Sequence, residues 1–449
     1  MDVELRVRAK GSFPSDGVTN MDYTTDERDL LRLGKRPVLK ASIPILVSTQ
    51  SLLNGGPAGV IWGYLIVWVG TLSTFTVLSE LASMAPTAGG QYHWVAMLAP
   101  DSSRRFLSYI TGWMTFAGWQ AVTASAAYLI GTLLQGVIVM VKSDYTPEPW
   151  QAMLFLWAVL AFSVFINTVA SKTLAHFEGM AEEIKDASIV VPRAIVISIV
   201  LNGILGFAML LAYLFCLGNL DAVLDSQAYL GYPFLFVFLS GTKSKAGAAV
   251  MGLVIVALGI CSTVGVLASS SRMLRSFSRD RGIPFWRHFM KLASRTSIPI
   301  YTIAFTATVS LLLSLIILGS SVAFNNIVNL SVVGLYSSYL ISCSLLLWRR
   351  LQPQSISPYD PDIVRVGPNN LHWGPWRIPG VLGILNNAFA CIYLFVLWFW
   401  AFWPPATPVD AQEMNFSVLT FGFVALFAVI WHFVQGKKEY KGPIVEIDC

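Results

Sequence analysis

The residues of this chain that can do chemistry in an apolar setting are few and well separated. Glu80 is the first acid after an uncharged run of 25 residues, Gly55 to Ser79. An acid at such a boundary can carry a proton or hold a gate, and it can equally reach water or bind loop backbone. Its place at the end of the run favours gating or packing. Gln120 is an amide in a long apolar stretch, flanked by Trp119 and Thr123. It needs a polar partner, either a ligand or another helix. Hydroxyls gather at Ser262, Thr263, Ser269, Ser270 and Ser271, where they can hold a cation or bond their own backbone four residues back. Asn325, Asn326 and Asn329 present amides at helical spacing, as interhelical hydrogen bonding requires. Asn54, Gly55, Gly56 and Pro57 interrupt the chain ahead of the first run. Glycine there permits an unwound turn close to a ligand, or an ordinary turn between helices. The five histidines and five cysteines show no HExxH, CxxC or Cys/His spacing, so no metal site, cofactor, disulfide framework or enzymatic activity is expected.

The elements that must position these residues are apolar helices. The 449 residues are 55% hydrophobic and 12% charged, about half the charge of a soluble domain. No Asp, Glu, Lys or Arg occurs in 106–141, 149–171, 194–220, 246–271, 296–348, 378–409 or 414–434. Backbone polar groups in lipid must be satisfied within the segment, and the runs do not alternate as barrel strands do, so they read as helices. At 1.5 Å per residue they cross a hydrocarbon core of roughly 30 Å. Nine full spans are expected, at 58–80, 106–139, 150–171, 194–217, 246–271, 298–318, 322–348, 380–403 and 414–434. Residues 41–53 are apolar, broken by Pro44 and too short to span alone.

Loop charge tests that count. After the first span, 19 Lys and Arg fall on one side and three, Lys142, Lys243 and Lys245, on the other. The positive-inside rule makes the richer side cytoplasmic. The 8 basic residues of 1–40 fall on the wrong side of this scheme, although 7 acids accompany them. Either the acids offset these bases and a long tail escapes the rule, or one crossing near the start is missing and 41–53 is its remnant. The seven basic residues from Arg272 to Arg295 fit a loop against anionic headgroups rather than a nucleic-acid surface. Asn415-Phe416-Ser417 forms a glycosylation sequon on the outer side, very close to the last span.

Residues 80–100, ELASMAPTAGGQYHWVAMLAP, preceded by NGGPAG at 54–59, resemble the fungal amino-acid/choline/GABA permease branch of the amino acid–polyamine–organocation superfamily. The resemblance continues through RFLSYITGWMTFAGWQAVTAS from Arg105, AEEIKDASIVVPRA (181–194), ICSTVGVLASSSRMLRSFSRDRGIP (260–284) and YKGPIVE (440–446). It implies an all-α integral membrane protein, an inverted-repeat bundle of twelve helices in which the first and sixth are broken at mid-membrane around the substrate. Laid against that pattern, the nine spans match helices two, three, four and seven to twelve. The first helix survives as Ala41–Gly56, the fifth is absent, and His176–Met180 is all that stands for the sixth. By the same resemblance, Gln120 lies on a helix that lines the substrate path, and Ser262 and Thr263 on one that helps to hold an ion in sodium-coupled relatives. The substrate-binding set is then Asn54, Gly55, Gly56, Trp119, Gln120, Thr123, Ser262 and Thr263, with Glu80 as a gating or structural residue. Gly112 and Gly118 read as packing contacts.

The function implied is secondary active transport of amino acids or small amines such as choline, γ-aminobutyrate or polyamine-like cations, driven by a proton. The alternative is a truncated, non-transporting homologue or membrane scaffold, which would give weak or absent uptake. The implied partners are a small-molecule substrate, a coupling proton and the lipid bilayer, with no nucleic acid. The organisation expected is a tail (1–40), a permease domain (41–436) and a cytoplasmic tail (437–449), in the plasma rather than the vacuolar membrane.

Overall fold

A computed structural model of the chain describes residues 48–142, 144–169, 187–226, 230–292, 298–319, 321–352, 355–360, 371–404 and 414–443. The expected junction around His176–Met180 and the tail 1–40 lie outside the described residues. Among them, nine helices are long and apolar enough to cross a membrane. The spans are α1 (Ser48–Met84), α3 (Arg104–Val141), α4 (Pro149–Thr168), α5 (Ala187–Phe215), α8 (Lys245–Arg279), α10 with its continuation α11 (Ile300–Ser314, Ile316–Gly319), α12 (Ser321–Leu351), α13 (Gly380–Trp400) and α14 (Ser417–Trp431). The shorter helices are α2 (Gln91–Leu98), α6 (Leu220–Asp225), α7 (Pro233–Thr242) and α9 (Trp286–Phe289). The protein is an all-α, multi-pass integral membrane protein.

Helix ends depart from the charge-free runs for identifiable reasons. Helix α8 continues past Ser271 to Arg279 because arginine stems remain compatible with a helix whose guanidinium groups reach water. The Pro/Gly-rich connection after α1 is short, running only from residue 85 to residue 90. Gly90 turns the chain at φ 55°, and Gln91–Leu98 then forms a helix that buries Tyr92 and Trp94. Pro233 opens α7 at its first turn, where a missing N–H costs nothing, but ten residues are too few to span.

Helix α3 is the axis of the bundle, packed most extensively on α12 and α8 and also on α4 and α2. Its crossing with α12 is backbone on backbone. A Cβ on Gly334 would stand 3.0 Å from the Gly118 Cα and 3.0 Å from the Met114 carbonyl. Helix α1 is docked on α5 by polar side chains that reach its backbone. The Trp68 indole donates to the Ile199 carbonyl at 3.2 Å and the Tyr64 hydroxyl to the Gly203 carbonyl at 2.9 Å. On α13, Leu382, Leu385, Phe389, Ile392 and Phe399 stay exposed, one outward stripe at helical spacing suited to lipid.

At the arginine-rich end, Tyr92, Tyr109, Phe277 and Tyr440 form a fully buried aromatic cluster. The Tyr440 and Ser108 hydroxyls are hydrogen-bonded at 2.6 Å. The segment from residue 437 is thereby tied back to α3.

Candidate functional site

Among the described residues, a polar junction lies near the middle of α3, where three helices meet. The Gln120 amide donates to Ser270 Oγ on α8 and to Thr306 Oγ1 on α10, each at 3.3 Å. All three residues are buried, and Gln120 Oε1 has no hydrogen-bond partner among the described residues. Ser310, one turn beyond Thr306, also holds a buried hydroxyl without a partner. Aromatics close one side, with Phe116 stacked on Phe305 at 6.3 Å. The demand for a partner read from Gln120 is thus met on its donor side by two other helices. Its acceptor side remains open, and an unfilled buried acceptor is a place where an ammonium or amide N–H gains a hydrogen bond.

The other candidates are distributed around this junction. Thr123 donates to the Trp119 carbonyl at 2.9 Å and Thr263 to the Gly259 carbonyl at 3.0 Å, both four residues back on their own helices. Each hydroxyl is thereby engaged locally. Trp119 and Ser262 are half-buried. At the Asn54–Pro57 interruption, α1 breaks at Gly56, with φ 57° and ψ −159°. Gly55 is exposed, and nothing lies within 4 Å of where a Cβ would stand on either glycine. The break is a positive-φ turn that glycine favours, open to its surroundings. The sequon residue Asn415 is 7% exposed and donates to the Ala401 and Trp403 carbonyls at 2.9 and 3.0 Å, which leaves its amide engaged in fixing the entry to α14.

Glu80 sits at the arginine-rich end in a latch that joins three elements. Its carboxylate pairs with Arg350 at the end of α12, and both side chains are nearly inaccessible, at 0% and 5%. The other oxygen accepts the Ile378 N–H at 2.8 Å, just before α13. One turn on, Ser83 accepts the Trp376 N–H at 3.0 Å and donates to the Ser188 carbonyl at 2.6 Å. These contacts tie the end of α1 to the end of α12 and to the segment entering α13. A run that ends in Arg349-Arg350 was the available signal for the partner of Glu80, since a buried acid needs a nearby cation.

A second buried acid escaped the sequence reading. Asp280 is 2% exposed and accepts from the Tyr92 hydroxyl at 2.7 Å; Ser276 shares that hydroxyl at 2.9 Å. Burial, followed by the charge of Asp280, drives the Tyr92 phenol well above its ordinary range, so it stays a proton donor. His93 beside it is driven down to about 4 by burial and by the charge of Arg279. The signal for Asp280 lay in its being the lone acid among seven basic residues between Arg272 and Arg295.

Comparison with known proteins decides the family. The family model described as amino acid permease matches residues 36–180 and 178–425, nearly the whole chain. The chain belongs to the amino acid permease family. Among relatives, a Macrophomina phaseolina protein named as a candidate amino acid/polyamine transporter is 27% identical over 83% of this chain and 93% of its own length. The choline transporter of Saccharomyces cerevisiae is 24% identical over 86% of this chain and 77% of its own. An uncharacterized amino-acid permease of Schizosaccharomyces pombe is 23% identical over 97% of this chain and 92% of its own. That last alignment runs for 525 positions against a chain of 449 residues, so at least the difference, 76, face no residue of this permease. The two matched stretches of the family model meet at 178–180, the seam at which helices five and six are expected to be missing.

Proposed function

We propose that this permease homologue is a secondary active transporter of amino acids or small amines, choline, γ-aminobutyrate or polyamine-like cations among them, with a proton as the coupling ion. The observation that carries the reading is the unfilled Gln120 acceptor at the meeting of α3, α8 and α10. Such substrates share an amino or ammonium group. A protonated amine donates to an amide oxygen, and its charge is best met where water is excluded and dipoles are already fixed. A quaternary ammonium lacks the N–H and would rely on the neighbouring aromatic rings, Phe116, Trp119 and Phe305. The relatives' names support the same substrate classes.

A second reading, a truncated and non-transporting homologue that persists as a scaffold, is favoured by the break of the family match at 178–180 and by the unmatched alignment positions. In the resemblance drawn above, the absent helices include those that hold the charged ends of the substrate. Uptake of labelled amino acids, γ-aminobutyrate and choline by cells lacking their own carriers separates the two. Saturable, pH-dependent uptake that Gln120→Leu abolishes supports transport. Background uptake by a chain that reaches the membrane, recovered on splicing the missing segment of a relative at 178–180, supports the second reading.

A further inference from the structure

A cleft of about 380 Å³ opens between the end of α12 and the start of α13. Its walls include Arg349, Arg350 and Arg377, together with Trp373, Gly380 and Val381. Arg350 and Arg377 both lie against the Trp373 ring, at 4.7 and 5.5 Å from its centre. Glu80 faces Arg350 and offsets one of the three charges. Arg349 donates to the Leu98 carbonyl at 2.7 Å and to Ser355 Oγ at 3.4 Å, and the nearby Asp101 is itself paired with Arg104, so the Arg349 charge is not cancelled by it. The cleft is therefore cationic.

Two further observations point to an anionic occupant. The Arg350 side chain is 5% exposed, yet its Nε is buried without a hydrogen-bond acceptor among the described residues. Helix α13, 21 residues long, begins at the same cleft behind Pro379, with no side chain capping its first turn. The unpaired N–H groups of a helix start favour negative charge placed there.

The surface leading out of the cleft is apolar. Val381, Leu382 and Leu385, on the first turns of α13, are 70%, 71% and 61% exposed. A soluble phosphate would leave that face uncovered, whereas a lipid covers it with its chains. This is also the end of the bundle that the positive-inside rule assigns to the cytoplasmic leaflet, where anionic lipids gather. We propose that the cleft is a headgroup site for a phosphate-bearing anionic lipid. Its phosphate sits among Arg349, Arg350, Arg377 and the α13 start, and its acyl chains lie along Val381, Leu382 and Leu385.

The test is lipid retention by the purified full chain in detergent, read by native mass spectrometry. The probes are phosphatidic acid and phosphatidylcholine with identical acyl chains, and glycerol 3-phosphate as the soluble source of the same chemistry. Phosphatidic acid should bind at least tenfold more tightly than phosphatidylcholine. Arg377→Gln should weaken it about tenfold, the loss of one charge-assisted hydrogen bond, and Arg377→Lys should restore part of that loss. Arg377 is exposed, so folding should survive the change. Leu385→Asn gives an independent arm, weakening the lipid through its chains with the arginines intact. Equal retention of the two lipids, or wild-type affinity in Arg377→Gln, overturns the site. Displacement of phosphatidic acid by an equal concentration of glycerol 3-phosphate overturns the lipid assignment.

Discussion

Replacing Glu80 with Gln tests whether this acid is a structural latch or a working proton carrier. The substitution keeps the volume and the acceptor for the Ile378 N–H, but leaves the Arg350 guanidinium charged and without its counter-ion in a position only 5% exposed. Removing one partner of a buried pair costs about 3–5 kcal/mol, chiefly the desolvation of the charge left behind. Arg350→Met should cost a similar amount by stranding the carboxylate. Combining Glu80→Gln with Arg350→Met removes both charges and should recover much of the loss, because a neutral replacement of a buried pair is often close to neutral in stability. The double-mutant cycle is measured by denaturant unfolding in detergent, with uptake of labelled substrate run in parallel on the same four proteins. A coupling energy near 3 kcal/mol identifies the latch. Wild-type stability in Glu80→Gln, with uptake that alone loses its pH dependence, would refute the reasoning and restore Glu80 to a proton-carrying role.

His93 should make stability fall in acid. The folded protein keeps the imidazole neutral down to about pH 4, whereas the unfolded chain takes up its proton near 6.5. The unfolded state gains that proton across the interval, so stability is full above pH 6.5 and declines as pH drops towards 4, by at most about 3 kcal/mol. Thermal melts between pH 4 and 7 should show this slope, flattened in His93→Gln. Gly118→Val and Gly334→Val insert branched side chains where the backbones of α3 and α12 already meet; each should cost at least 1–3 kcal/mol or prevent the protein from reaching the membrane, scored by surface expression. Tyr440→Phe removes a buried hydroxyl bonded to Ser108 and should lower stability by about 1 kcal/mol, read as earlier proteolytic release of the C-terminal segment. Gln120→Leu removes an amide with one satisfied and one unsatisfied side, so its unfolding free energy, read from denaturant unfolding in detergent, should stay within about 1 kcal/mol of wild type.

The spans were legible because charge-free runs of this length have no other stable form in lipid. Their ends were less so, since Arg272, Arg275 and Arg279 extend α8 beyond its apolar part and no composition signal marks that continuation. Short elements such as α2 and α6 were invisible for a different reason. They are fixed by a backbone turn at Gly90 and by Asn219 capping the first turn of α6, and their packing comes from distant parts of the chain. At the site, sequence identified Gln120 as a residue in need of a partner but not Ser270 or Thr306 as the partners, because spacing along one helix carries no information about which helices cross there. The pairing of Glu80 with Arg350 spans 270 residues, so the Arg349-Arg350 pair at a run end signals a cation without saying which acid it meets.

The Gly118–Gly334 crossing sets a limit on how this bundle can change shape. With main chain resting on main chain, sliding α12 along α3 by one residue would drive Leu335 or Val333 into a gap that admits no side chain. The two helices are therefore keyed to each other and must travel together as one strut. A cross-link between α3 and α12 should therefore cost the protein little, since the two already move as a unit.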